Sequence, residues 1–345
     1  YRRKARREQT CMKKICVIGD GAWGTATALT LHKNQHNVTV WGAFEENIRK
    51  ILESRENRSF LPGVSLPPEI SWTAERREAV IDAEIVVMAV PSKYYVATAE
   101  SFSGLFADSC SLVSLTKGIA RTGQGKTGYE RMSEAAERIL GIEEPAALSG
   151  PSHAEEVARN VPTAVTIACR NREKAALMQS VFGNRRFRVY TSDDVTGVEL
   201  GGVLKNIVAV AVGISDGIGF GDNTRAAIMT RGLAEIIRLG TALGAKKTTF
   251  AGLSGIGDLI VTCTSSLSRN RSAGDRIGKG ENPSEILSNS QQAVEGLWNC
   301  ASALDLAKQT GIDMPITQAL YSIVHEEKAP VAAVEELLQR NFKTE

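Results

Sequence analysis

The pattern of apolar and polar positions changes near residue 195. Before that point, short apolar runs alternate with segments of helical periodicity. Runs at 15–18, 38–41, 84–90, 111–116, 146–148, 163–169 and 187–190 have strand length and end at turn-forming residues. Residues 25–35, with Ala28, Leu29 and Leu31 on one face, read as the helix between the first two runs. Short apolar strands separated by helices predict a doubly wound, mostly parallel sheet covered on both faces. From 198 onward no strand pattern is found. Helical periodicity covers 198–213, 223–243, 248–262, 290–309, 315–325 and 331–339, with glycines between and within the helices. The expected division is 1–11 as a disordered extension, 12–195 as the α/β domain and 196–345 as an all-α domain.

In sheets of this type ligands bind beyond the carboxyl ends of the strands. Loops at 19–24, 91–92, 117–118 and 149–152 should therefore line one crevice. The first is the most telling. The run Ile15-Cys16-Val17-Ile18 leads directly into Gly19-Asp20-Gly21-Ala22-Trp23-Gly24 and then a helix. Gly19 permits the tight turn, Gly21 leaves room for a pyrophosphate, and Gly24 lets the helix pack on the strand. The helix N-terminus and its free N–H groups then meet the phosphate charge. Gly19, Gly21 and Gly24 are thus candidate cofactor-binding residues of a Rossmann-type domain.

Length and charge add bounds. At 345 residues two domains are the default, and the apolar runs at 85–90 and 207–212 are far shorter than a membrane span. The net charge is +2, yet residues 1–11 hold five cations against one carboxylate, so the rest is net negative. No basic stripe with aromatics suggests nucleic acid. The six cysteines show neither paired nor metal spacing, which suits a reducing, cytoplasmic setting, and no metal site is expected.

Several residues carry candidate chemistry. Lys205 is the only charge between Leu200 and Val210, among Val208, Ala209 and Val212 on its helical face. A lysine desolvated there loses basicity and suits proton transfer near neutral pH; the alternative is a stem that snorkels to water. Asp258, between glycines and an apolar run, either accepts a hydrogen bond from Lys205 or caps the next helix. Ser268-Arg269-Asn270-Arg271 is either an anion grip or a surface charge cluster. Lys117 ends a strand, facing an anion or only solvent. Ser149-Gly150-Pro151-Ser152 and the helix start at Ala154 offer hydroxyls and N–H groups. His153, alone in a loop, is a poor acid–base candidate.

These pieces, in combination and order, resemble the soluble NAD(P)-dependent glycerol-3-phosphate dehydrogenases, the bacterial branch most closely. The resemblance runs from Met12 to Gln339. It rests on 19–25, Phe60-Leu61-Pro62, Val90-Pro91-Ser92, Thr116-Lys117-Gly118, 149–152, Leu204-Lys205-Asn206, 215–221, 230–235, Gly257-Asp258-Leu259, Ser268-Arg269-Asn270, Val294-Glu295-Gly296 and 314–317. It implies reduction of dihydroxyacetone phosphate to sn-glycerol 3-phosphate with NAD or NADP, for phospholipid synthesis, by a homodimer. It implies Lys205 as proton donor, with Asp258 beside it as the second catalytic residue. Lys117, Gly150, Ser152, Lys205, Asp258, Ser268, Arg269 and Asn270 would contact substrate. Ala22, Trp23, Ala43, Lys117, Ala154, Arg269, Ala293 and Glu295 would contact the cofactor.

One position departs. Many relatives place Arg or His where this chain has Ala43. No cation stands there for a 2′-phosphate, and no acid ends the second strand, so NAD is expected to serve at least as well as NADP. Two other readings fit the pattern: a lysine-dependent β-hydroxyacid dehydrogenase, and a nucleotide-sensing protein without catalysis.

Overall fold

The computed structural model describes residues 11–122, 128–289 and 293–339; most of the basic N-terminal segment, residues 1–10, lies outside these. The strands are β1 (Lys14–Ile18), β2 (Asn37–Trp41), β3 (Ser71–Thr73), β4 (Ile85–Met88), β5 (Ser111–Ser114), β6 (Ile119–Thr122), β7 (Gly128–Arg131), β8 (Ala146–Ser149), β9 (Thr163–Ala168) and β10 (Phe187–Ser192). Eight of them form one sheet in the order β10-β9-β8-β5-β4-β1-β2-β3, parallel throughout except between β8 and β9. All four residues of β4 are buried, as expected of a strand covered on both faces. The helices of this half are α1 (Ala22–Lys33), α2 (Glu45–Ser54), α3 (Arg76–Ala79), α4 (Ser92–Ser101), α5 (Met132–Leu140), α6 (Ala154–Ala158) and α7 (Arg172–Phe182).

After β10 the described chain is helical: α8 (Val195–Ile218), α9 (Asp222–Ala242), α10 (Asp258–Thr264), α11 (Arg269–Gly278), α12 (Pro283–Asn289), α13 (Glu295–Thr310), α14 (Pro315–His325) and α15 (Pro330–Leu338). Asp194 starts α8 by accepting from Gly197 N, and it also holds Lys246 N and Thr249 Oγ1. By length and composition α8 is apolar enough to cross a membrane, but 94 % of its most apolar window is buried inside the protein. It is the core helix of this half.

The pattern missed some elements. β3 has three residues, and the antiparallel β6–β7 hairpin is too polar to register as an apolar run. The expected helix at 248–262 is broken into a 3₁₀ turn (Lys247–Ala251), a π turn (Leu253–Gly257) and α10. Gly252, Gly255 and Gly257 explain the break, and Gly255 adopts non-helical angles (φ −102°, ψ −105°). α11 was missed because it buries a face of small residues, Ala273 and Gly274 with Ile277, rather than large apolar ones.

That small face lets α11 cross α8 almost backbone to backbone. A Cβ on Gly274 would lie 2.1 Å from Val210 O, and one on Gly213 would lie 2.0 Å from Arg271 O. Glycine to alanine in an exposed helix normally stabilises. At Gly274 the sign should reverse, because the added methyl forces the helices apart, costing ~1–3 kcal/mol. Gly274→Ala is therefore expected to lower the thermal midpoint followed by circular dichroism; an unchanged or raised midpoint would refute the close crossing.

Candidate active site

The glycine loop has the geometry its spacing suggests. Gly19 has φ +120°, and a Cβ on Gly24 would lie 1.9 Å from Gly19 O, so neither position admits a side chain. A Cβ on Gly21 would meet nothing within 4 Å. Open space there, at the start of α1 with no capping side chain and no acidic residue in its first turn, suits a dinucleotide's pyrophosphate. Gly19 and Gly24 lie beneath the cleft surface and shape it; Gly21, Ala22 and Trp23 line it.

The cleft has a cavity volume of about 200 Å³ and opens to solvent. Its sheet side carries the strand-end residues Ala89–Pro91 and Leu115–Lys117, with Ser152–Glu155 beyond β8. Its helical side carries Lys205 and Asn206 from α8, Thr262 from α10, 267–270 at the start of α11, and Ala293 and Glu295 at the start of α13. The crevice expected beyond the strand ends is present.

Lys205 does not snorkel. It is 6 % exposed. Its Nζ donates to Asp258 Oδ1 at 2.7 Å and to Thr262 Oγ1. The Thr262 hydroxyl donates in turn to Asp258 O at 2.6 Å, which leaves a lone pair for the ammonium. Lys117 Nζ occupies the other carboxylate oxygen, Oδ2, at 2.7 Å. Asp258 thus sits behind the two lysines and does not itself line the cleft, and it makes no capping bond. Burial lowers Lys205 to about 8; Asp258 opposes the fall and Lys117 adds to it. Burial acts to raise Asp258, but the two lysines outweigh it and hold the carboxylate below its usual range.

The tetrapeptide at 268–271 divides. Ser268 lines the cleft and caps α11, its Oγ accepting from Arg271 N at 3.2 Å. Arg269 lies in the cleft, where Glu155 and Glu295 act on its charge. Arg271 turns away to Asp216, at 2.9 Å. Asn270 is committed to the wall: it donates to Asn206 Oδ1 at 3.0 Å and accepts from Gly296 N at 2.8 Å. Ser152 faces the cleft and donates to Gly150 O at 2.9 Å, whereas Gly150 itself does not line it. Ala43 is exposed just past β2 and is not part of this lining. His153 lines the cleft with Nε2 buried and unpartnered; burial and then Lys205 lower its basicity below the ordinary imidazole value.

Sequence reasoning passed over Thr262, although its spacing of four from Asp258 on one helix was the available signal. It also missed what fixes Glu295. Ser92 N donates to Glu295 Oε1 at 2.9 Å and the Ser92 hydroxyl to Oε2, while Asn299 Nδ2 donates to Oε2 at 2.8 Å.

The sequence matches two family models, the NAD-dependent glycerol-3-phosphate dehydrogenase N-terminus over residues 14–175 and the C-terminus over 194–335. It is 46 % identical over 337 residues to glycerol-3-phosphate dehydrogenase [NAD(P)+] of Syntrophomonas wolfei, covering 97 % of each chain. It is 47 % identical to the enzyme of that name from a Thermoanaerobacter species, covering 96 % of this chain and 98 % of the relative. The crystal structure of glycerol-3-phosphate dehydrogenase from Coxiella burnetii superposes with a TM-score of 0.90 at 36 % identity, covering 95 % of this chain and 99 % of that one. The chain belongs to the NAD-dependent glycerol-3-phosphate dehydrogenase family.

Proposed function

We infer that this chain catalyses reversible hydride transfer between NAD(P)H and dihydroxyacetone phosphate, giving sn-glycerol 3-phosphate for phospholipid synthesis. The observation that carries this reading is a buried lysine, Lys205, facing a cleft that has the glycine loop on one wall and Arg269 on another. The reading takes the chain as a cofactor half and a substrate half, divided near residue 195. It takes the enzyme as a cytoplasmic homodimer, acting on neither nucleic acid nor membrane; six free cysteines suit a reducing compartment. Neither a hydroxyacid substrate nor a catalytically silent sensor is favoured, since the relatives named above are glycerol-3-phosphate dehydrogenases.

When bound, the nicotinamide supplies hydride to the carbonyl carbon. Lys205 stabilises the negative charge that builds on the carbonyl oxygen and gives it a proton; in the reverse direction it removes that proton. Asp258 and Thr262 aim the ammonium by taking two of its three N–H bonds. Lys117 shares Asp258 and adds positive charge toward the substrate. Arg269 holds the remote phosphate, whose binding energy orients the reacting carbon. Gly21, Ala22 and Trp23 receive the pyrophosphate, and Ala154, Ala293 and Glu295 border the cofactor.

Loss of reduced-nicotinamide absorbance on mixing NADH, dihydroxyacetone phosphate and protein tests the reaction directly. Lys205→Ala is expected to cut turnover by about 10²–10⁴-fold while NADH binding survives; a retained rate would exclude Lys205 as the proton donor. The pH profile gives a second check. Ketone reduction needs protonated Lys205, so its kcat/KM should fall as pH rises through about 8. Alcohol oxidation needs the neutral amine and should fall as pH drops through the same value. Asp258→Asn removes a charge that raises Lys205, so both limbs should move to lower pH; limbs that stay in place would break the assignment. Arg269→Ala should raise KM for dihydroxyacetone phosphate and leave the rate with unphosphorylated dihydroxyacetone unchanged. Equal losses with both ketones would remove the phosphate from Arg269's role.

A further inference from the structure

Asp20 takes no part in the chemistry above. It lies between Gly19 and Gly21, only 8 % exposed. Its Oδ2 accepts from Asn47 Nδ2 at 2.6 Å, and Ser59 Oγ donates to Asn47 Oδ1 at 3.0 Å, which fixes the way the amide faces. Two successive hydrogen bonds therefore aim one buried carboxylate. They aim it at the end of β2: a Cβ on Gly42 would lie 2.8 Å from Asp20 Oδ2.

In doubly wound dinucleotide domains an acid near this strand end accepts from the ribose 2′-hydroxyl of NAD, or an Arg nearby takes the 2′-phosphate of NADP. This chain has Trp41-Gly42-Ala43 there, with neither group. A Cβ on Gly42 would also meet Ile48 Cδ1 at 2.7 Å, so Ile48 and the Asp20 carboxylate already occupy the room that a side chain at 42 would need. The cations on α2 are turned elsewhere: Lys50 Nζ lies 2.7 Å from Glu46, and Arg49 lies 3.9 Å from Glu53. Among the described residues no cation pairs with Asp20.

We propose that Asp20 selects the adenosine ribose, accepting a hydrogen bond from a free 2′-hydroxyl and repelling a 2′-phosphate, so that the site takes NAD(H) over NADP(H). Asp20 is a specificity residue delivered by the glycine loop instead of by β2. The proposal rests on reading the cleft as a dinucleotide site. It is tested by calorimetric titration of the whole protein with NADH and with NADPH. The wild type is expected to bind NADH about 10-fold or more tightly, since a carboxylate facing a phosphate is a like-charge contact. Asp20→Asn keeps the shape and the bond to Asn47, and it should bring the two affinities together, chiefly by tightening NADPH. Asp20→Ser should do the same. Equal affinities in the wild type, tighter NADPH, or a ratio that neither variant changes would overturn it. Failure of the wild type to bind either nucleotide would instead overturn the dinucleotide reading, and this proposal with it.

Discussion

The carboxylate of Asp258 joins three parts of the protein at one point. It begins α10, and it accepts from Lys117 beyond β5 and from Lys205 on α8. Removing one partner from a buried ionic cluster typically costs about 3–5 kcal/mol, because the remaining charges lose compensation. Here the cluster is deliberately uneven. Two ammonium groups share one carboxylate, so with all three ionised the site carries one excess positive charge. Burial is what lowers the basicity of Lys205; the uneven cluster leaves it low, since Asp258 restores only part of what burial removes and Lys117 removes more. The cluster also leaves one uncompensated positive charge beside Lys205, where an anionic oxygen is favoured.

A second device recurs around this point. Three glutamates, Glu199 and Glu235 buried and Glu295 half-buried, each seize the first turn of a helix, taking a backbone N–H and the hydroxyl of a Ser or Thr there. Glu199 on α8 holds Ser133 of α5, and Glu295 at the start of α13 holds Ser92 of α4. Glu235 on α9 holds Thr317 of α14, together with Ile316 N. The first two tie helical elements to α4 and α5, which pack against each other in the sheet half. Each satisfies donors that a helix start leaves open and places negative charge at the positive end of the helix. Burial makes this geometry demanding, for a carboxylate stripped of water must find most of its hydrogen bonds in the clamp. At Glu295 the cleft wall is therefore fixed by directional bonds.

How far the sequence reveals this depends on whether a feature is local. The glycine loop is local, and its three glycines could be assigned separate tasks from spacing alone. The alternation of strand and helix in the first half is local too. Lys205 stood out because burial of its neighbours is a periodic signal. Its partner was harder to name. Asp258 is 53 residues away, and its role depends on a break in the chain at Gly255 that periodicity reads as continuous helix. α11 was hidden for a related reason: its packing face consists of glycine and alanine, which carry no hydrophobic signal. Asn270, expected to touch substrate, lines the cleft with its amide already bonded to Asn206 and Gly296. Residue type reports which bonds a side chain can make, and only the packed neighbours decide which bond it makes.

The acid missing from the end of β2 shows the same principle on the cofactor side. A positional template searches near residues 41–43 and finds no charge. In space, the template's requirement is only that a carboxylate reach the ribose, and a neighbouring strand end can deliver it. Asp20 follows β1, whose pairing with β2 places Ile18 beside Trp41, so the two chain segments leave the sheet together. A side chain from one then occupies room left by a glycine in the other. Such an exchange keeps the chemistry while moving it some twenty positions along the sequence. Motif positions identify the fold for that reason, whereas specificity within the fold belongs to whichever atoms border the ligand.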